Sequence, residues 1–590
     1  MLKPYRVLDL TDERGLLAGK IFADLGADVI QVEPPGGSPA RRLPPLLDAR
    51  DPASSAWWAA YACNKRGITL DLDDAADRGR LRQLAATADF LFESEEPGVM
   101  AARGLGYEDL ARLNPRLIHA SITAFGQDGP RATDPATDLT LWAAGGALLP
   151  AGGGLLTARA GDRPSVRISV PQAYLHAAAD AAAGALVAHF ERLKSGLGQH
   201  VDIAAQQSVT QVSMAGVLSH LVGHTEHRPR STDDAGPGIT KWRCKDGYLD
   251  FAPARHTNNL MLWMREEGAC EDADLAFDWT RLREVLAGGD EAAVAEVARL
   301  TELIRAFFAS KTKLELLEGA ATRRCMLAPI LDVADVAANP HLADRDFWRA
   351  IDGDPYPRLR YPGPFCRVSG QPLPYRRPAP RLGEHNAEVF AELTSFPSLK
   401  GTGDPARRAR TASTHEGRRR APVAVAVDTQ RIQGSTAAPA QGELPLAGLR
   451  VLDLTWVVAG PMIGRALADF GAIVIKVDSR RRVDGSRPVF PFHGGVPGPE
   501  RSALYGDVNA GKLGITLNLA TAEARVVLLD LVRWADVLTE AFTPGVMARW
   551  GLGYERLREL NPGLIMLCTS INGETGRYAG LWGRATPVRP

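Results

Sequence analysis

No two cysteines of this chain stand at C-x-x-C spacing. The six, Cys63, Cys244, Cys270, Cys325, Cys366 and Cys568, are scattered along 590 residues, which excludes a disulfide scaffold and a thiolate metal site and predicts isolated reduced thiols. Net charge is also missing. Lys and Arg number 69 and Asp and Glu 69, so there is no electrostatic footprint for nucleic acid. Long apolar runs are absent. The most apolar stretch, Ala177 to Phe190, is short and broken by Asp180 and His189, too little to span a bilayer. The start, MLKPYRVLDLT, enters a strand-like run without the basic region and apolar core of a secretory signal, so a cytoplasmic location is expected. What is present, 45% hydrophobic and 23% charged residues, is the profile of a soluble globular chain. Its length exceeds a single domain of ~100–200 residues, so several cores are expected.

The chain repeats itself. RVLDLT at Arg6 recurs at Arg450, and GKIFADLGADVIQVE from Gly19 recurs as GRALADFGAIVIKVD from Gly464. GITLDL at Gly67 returns as GITLNL at Gly514, and PGVMAARGLGYEDLARLNPRLI from Pro97 as PGVMARWGLGYERLRELNPGLI from Pro544. Four collinear matches define two copies. In each, VLDL, a helical pattern and VIQVE or VIKVD read as a βαβ unit. A second helix follows, with Leu81, Leu84, Ala85 and Ala88 at helical spacing in the first copy and Ala524, Val527, Leu528, Leu531 and Ala535 in the second. Parallel strands joined by crossover helices predict an open α/β sheet with a crevice at the strand ends. Between the copies, 396–443 is rich in Pro, Ala, Gly, Thr and Arg, including Arg407, Arg408, Arg410 and Arg418, Arg419 and Arg420. That composition predicts a disordered linker.

These motifs, with SITAFGQDGP at Ser121, ERLKSGLGQHVDIA at Glu191, KDGYLDFAP at Lys245 and PRLGEHNAEVFAEL at Pro380, resemble the family III (CaiB/BaiF-type) coenzyme A transferases. The resemblance covers 1–395 as a complete copy, with a Rossmann-like large domain built from both ends and a smaller α+β domain inserted near 225–325. It covers 444–590 as a partial copy holding only the amino-terminal lobe. The ending GLWGRATPVRP does not follow the family pattern, which suggests truncation. The family implies CoA transfer from an acyl-CoA to a carboxylic acid, with CoA or acyl-CoA as substrate and no permanently bound cofactor or metal. It also implies an interlocked homodimer, or a pseudo-dimer in which the linked second copy replaces one partner lobe.

In that chemistry an aspartate attacks the thioester and passes through a mixed anhydride to an aspartyl-CoA thioester. The implied position opens the helix before the R-x-x-x-G-x-GQ segment and falls on Tyr174, with Ala173 or Leu175 one register away. A phenol with a pKa near ~10 is mostly protonated at neutral pH and cannot become an acyl-CoA thioester. Asp180 lies six residues on, ~9 Å along the axis and ~240° beyond a full turn, so it faces elsewhere. The related racemases use a His and an Asp, and here Thr137 stands beside Asp138 where that His belongs. For CoA binding the resemblance implies Arg41, Lys65, Gly460, Arg487 and Lys512. Against binding, Ser94, Glu95 and Glu96 replace the family's Asn-Phe-Arg, with Ala541, Phe542 and Thr543 in the second copy. The second copy keeps Ala459, Gly460 and Pro461 where the first has Arg14, Gly15 and Leu16. A non-catalytic binding or scaffolding subunit is therefore the rival to an active transferase. His220, His224 and His227 read as a polar helix end rather than metal ligands. Gly152 to Gly154 read as a connector, since no strand-to-helix GxGxxG surrounds them.

Overall fold

The computed structural model describes residues 1–146, 170–212, 222, 241–253, 256–288, 290–395, 443–489 and 491–581. The linker expected over 396–443 lies, apart from Glu443, outside the described residues, as do the histidine cluster and Gly152 to Gly154. The chain forms two compact units. One comprises Met1–Ser121, Ala181–Val201 and Arg376–Glu443, the other Ile122–Asp180, Asp202–Tyr375 and Leu444–Pro590.

The first unit is built on a sheet of β1 (Arg6–Asp9), β2 (Asp28–Glu33), β3 (Arg66–Thr69), β4 (Phe90–Glu93), β5 (Ile118–Thr123) and β6 (His200–Ala204), in the order β3-β2-β1-β4-β5-β6. The pairings β1–β2, β1–β4, β2–β3 and β4–β5 are parallel. Every residue of β4 and β5 is buried, as expected of parallel strands covered on both faces. The helix Ala75–Ala85 is started by Asp74, whose carboxylate accepts from the N–H groups of Ala76 and Asp77 at 2.8 and 3.0 Å. Leu81, Leu84, Ala85 and Ala88 are buried as their spacing predicts. The helix Asn386–Ser395 returns to this unit: Glu388 and Glu392 each pair with Arg66 at 2.7 Å, and the His385 N–H donates to Gly67 at 2.9 Å.

The second unit contains a small α+β body. Antiparallel β7 (Lys241–Cys244), β8 (Gly247–Asp250) and β9 (Ala328–Ile330) pack with the helices Thr257–Glu266, Glu291–Ala309 and Lys313–Arg323 around Trp242, Phe251, Trp263, Phe307 and Phe308. A short pair follows, β10 (Trp348–Arg349) with β11 (Tyr361–Pro362). The second copy then builds β12 (Arg450–Leu454), β13 (Ile473–Asp478), β14 (Leu513–Thr516), β15 (Val537–Glu540) and β16 (Ile565–Cys568), all parallel, in the order β14-β13-β12-β15-β16. The two copies thus share one strand order. One expected detail is corrected: in the helix Ala522–Trp534 the buried stripe is Ala524, Leu528 and Val532, while Val527 is 46% exposed. The helix meets its sheet along an i, i+4 row, and Val527 falls outside that row.

Candidate functional site

Strand order reverses at β1 and β4 in the first copy and at β12 and β15 in the second, the switch point where open α/β sheets bind ligands beyond the carboxyl ends of their strands. Each switch point carries a buried ionic knot. In the first copy one carboxylate oxygen of Asp9 accepts from the Thr11 N–H and hydroxyl at 3.1 and 2.6 Å, and the other from Lys65 at 2.7 Å. Lys65 donates its remaining hydrogens to the Leu16 carbonyl and Gln31 Oε1 at 2.9 and 3.0 Å. Gln31 in turn donates to the carbonyls of Asp9 and Thr11. In the second copy Asp453 accepts from Thr455 at 2.9 and 2.5 Å and from Lys512 at 2.8 Å. Lys512 also donates to the Pro461 carbonyl and Asn509 at 2.7 and 3.0 Å.

An ammonium has three hydrogens. Lys65 and Lys512 spend all of theirs on protein acceptors, so in this arrangement neither has an N–H left for a phosphate. Burial lowers the pKa of both, and the partner aspartates offset it only in part.

The two arginines show the same economy. Arg41 makes a two-pronged pair with Glu33 at 2.7 and 2.7 Å, donates to the Pro380 carbonyl at 2.9 Å and lies 4.0 Å from the Trp58 ring centroid. Arg487 donates to Asp478 at 2.9 Å, Glu500 at 2.7 Å and the Tyr505 hydroxyl at 2.6 Å, 3.6 Å from that ring's centroid. The repeat aligns Glu33 with Asp478 and Trp58 with Tyr505, so a guanidinium stacked on an aromatic and clamped by a strand-end acid is common to both copies. Gly460 serves packing, because a Cβ there would stand 2.4 Å from that of Thr455.

The glutamates expected to repel an anion are themselves partnered. Arg14 pairs with Glu96 at 3.1 Å and with Asp12 at 2.9 Å, and Arg103 lies 3.7 Å from Glu95. Arg14 stands where the second copy has Ala459, and Glu96 where it has Thr543, so the two changes compensate one another in charge.

Tyr174 is the second residue of the helix Ala173–Ser195 and is half-buried. The N-terminus of this helix is held by Asp138, one of whose oxygens accepts from the N–H groups of Gln172 and Ala173 at 2.7 and 2.8 Å. Asp138, which the sequence places only beside Thr137, thus reaches a helix start 34 residues away. Thr137 caps its own helix, Asp138–Ala144, in a box with Thr140. Asp180 is half-buried, and burial raises its pKa against the pull of a Ser208 hydrogen bond. Glu540, Cys568 and Glu574 bring ligand atoms within 4.8 Å of one another. Partial burial and the neighbouring Glu540 push the Cys568 thiol up, which disfavours the thiolate that a metal would need.

The fold and switch-point geometry define an α/β protein with two Rossmann-like sheets of one strand order. The profile of CoA-transferase family III matches residues 2–386 and 446–584, and the chain belongs to that family. It is 29% identical to "Probable CoA-transferase Rv1866" of Mycobacterium tuberculosis over 99% of its own length and 66% of that protein's, so it spans about two thirds of that relative. It is 35% identical to "Succinyl-CoA:(R)-benzylsuccinate CoA-transferase subunit BbsE" of Thauera aromatica, over 67% of this chain and 95% of that one. Among solved structures, a CAIB/BAIF family protein from Brucella suis superposes with a TM-score of 0.55 at 28% identity, covering 66% of this chain and 98% of that one. No helix among the described residues is long and apolar enough to cross a membrane.

Proposed function

We propose that this chain works in the transfer of CoA between an acyl-CoA thioester and a carboxylic acid, and that its first copy is a half without a nucleophile. The observation that carries this reading is Tyr174 on the first turn of the Asp138-capped helix. The transfer needs an enzyme carboxylate. Its oxygen attacks the thioester carbonyl and the CoA thiolate leaves; the thiolate then attacks the resulting anhydride at the enzyme's own acyl carbon and releases the donor acid. The acceptor carboxylate repeats the exchange in reverse. A phenol has no acyl carbon on which to hold CoA. The reading therefore assigns the carboxylate to another copy of the fold, one that carries an acid at this helix position. The name of the Thauera relative, a subunit, supports this division of labour.

Several relatives act with succinyl-CoA by name, which makes a short dicarboxylic acyl-CoA the first substrate to try. The test is to incubate the 590-residue chain with succinyl-CoA, quench with hydroxylamine or borohydride, and map adducts by mass spectrometry. The expected result is no adduct on this chain alone. An adduct on any of its carboxylates would overturn the reading. Sedimentation of the full chain distinguishes an interlocked dimer from a pseudo-dimer completed by the second copy.

A further inference from the structure

At the amino ends of β2 and β3, the end of the sheet away from the switch point, the first unit has a cleft of about 220 Å³ walled by Lys3, Asp28, Asn64, Arg66, Arg376 and Arg377. Five strand steps, about 16 Å, separate Asp28 from Glu33 at the other end of β2. Four cations face one carboxylate. Asp28 is already taken, by Arg66 at 2.6 Å and Arg6 at 3.2 Å, and Arg66 spends its remaining nitrogen on Glu388 and Glu392. Lys3, Arg376 and Arg377 form no ion pair among the described residues.

The two arginines are held with donors to spare. Asn64 clamps their backbone: its Oδ1 accepts from the Arg376 N–H at 2.5 Å, its own N–H donates to the Arg377 carbonyl at 3.0 Å, and its Nδ2 donates to Asp24 at 2.8 Å. These three bonds account for an asparagine at φ +68°, where the second copy has Gly511 at +74°. The second copy builds the same strand order with Ala447 and Ile473 at the positions of Lys3 and Asp28, so the sheet itself does not require these side chains. Arg376 uses only Nη2 on the protein, at the carbonyls of Ala23 and Ala27, which leaves Nε and Nη1 for a ligand. Arg377 reaches one group, His385 Nε2 at 3.3 Å. Since His385 Nδ1 accepts from the Gly67 N–H at 3.1 Å, the ring proton is on Nε2, and two donors face each other there. One acceptor oxygen beside them would serve both. Burial and the neighbouring Arg377 lower the Arg376 pKa despite Asp24 and Asp28, the mark of cations short of counter-charge.

We propose that this cleft is an anion site that binds a phosphate group, with Arg376 and Arg377 donating to its oxygens and Lys3 adding the third positive charge. Guanidinium forks match phosphate oxygens, and three cations without an acid favour a dianion over a single carboxylate. The phosphate group belongs to a free phosphate or pyrophosphate or to a nucleotide. The site stands apart from the switch point, and its occupation does not depend on which copy carries the transfer.

The test titrates inorganic phosphate, pyrophosphate and ADP into the full chain by calorimetry at low ionic strength. Saturable binding is expected. Lys3→Gln with Arg377→Gln should weaken it by about tenfold or more, while Arg487→Gln in the second copy should leave it within about twofold. Lys3→Glu alone changes a side chain exposed to solvent, so it cannot act through unfolding, and it too should weaken binding. Added ligand should also slow hydrogen exchange in peptides covering 24–29 and 374–379. ADP binding more tightly than pyrophosphate identifies a nucleotide as the source, and equal or weaker binding a free phosphate. No saturable binding of any of the three, or binding that the Lys3 and Arg377 variants leave unchanged, would overturn the proposal.

Discussion

Lys65→Met separates the structural role that the geometry gives this lysine from the phosphate contact that its sequence position suggested. The substitution keeps most of the aliphatic stem and removes the charge that faces Asp9, in a place where both side chains are fully buried. Breaking a buried pair from one side costs about 3–5 kcal/mol, because the other charge is left uncompensated. Here Thr11 still donates twice to Asp9, which places the loss near the lower end, about 3 kcal/mol. With a urea slope of about 2 kcal/mol per molar, the unfolding midpoint should fall by about 1.5 M. The assay is urea unfolding read by hydrogen exchange in peptides of β1 to β3, so that the second copy does not mask the change. Adding Asp9→Asn should recover a substantial part of the loss, since the uncompensated charge is gone. CoA affinity, measured by calorimetry at low urea, should stay within about threefold, or ~0.6 kcal/mol. An unchanged midpoint together with a tenfold weaker CoA affinity would refute the reasoning and return Lys65 to the phosphate.

Three further outcomes follow from the same structure. His189 accepts at Nδ1 from Arg192 at 2.8 Å and meets the Tyr5 hydroxyl at 3.0 Å, and burial, with Arg192 and Arg116 nearby, lowers its pKa to about 4. The unfolded chain therefore holds this proton more tightly, so stability is full above pH ~6.5 and falls as the pH drops toward ~4, by about 2 kcal/mol once solvent screening is allowed for; His189→Gln should flatten that part of a pH–stability curve. Tyr174→Asp places a carboxylate on the first turn of the helix and should yield a hydroxylamine-sensitive succinyl-CoA adduct on the peptide around position 174, whereas its absence would show that the first copy lacks a competent pocket. Gly460→Ala should destabilise the second copy by about 1–3 kcal/mol, read as loss of exchange protection in β12, because the new methyl collides with Thr455.

The sheets were legible in the sequence because both copies carry period and punctuation that only a βαβ path satisfies, and the collinear repeat checked each element against its twin. The ligands of the cations were not. Lys65 and Asp9 are 56 residues apart, and only the order β3-β2-β1 brings them together. Read alone, an exposed phosphate ligand and a buried counter-ion look the same. A usable signal existed: Glu33 with Arg41 and Trp58 recurs as Asp478 with Arg487 and Tyr505. An acid, a guanidinium and an aromatic changing together by chemical type point to one cluster. Tyr174 was readable by position, but its cap was not, since Asp138 reaches it across residues of no regular pattern.

The differences between the copies show how each lobe balances the charges it holds. At the switch point Gln31 of the first copy is replaced by Lys476 in the second, a second ammonium beside the same aspartate and lysine. That added charge is met by Asp484, 3.2 Å from Lys476 and fully buried. Lys476 and the donors of Ser486 and Val457 hold the Asp484 pKa down despite its burial. In the other direction, Arg14 in the first copy arrives with Glu96, where the second has Ala459 and Thr543. An unopposed charge at the buried Lys476 would cost several kcal/mol, a large share of the 5–15 kcal/mol that a domain has to lose, whereas the Arg14–Glu96 pair, with Glu96 61% exposed, is worth only about 0–1 kcal/mol. The first copy therefore keeps the buried Asp9–Lys65 pair at its switch point while position 174 holds a tyrosine rather than a carboxylate.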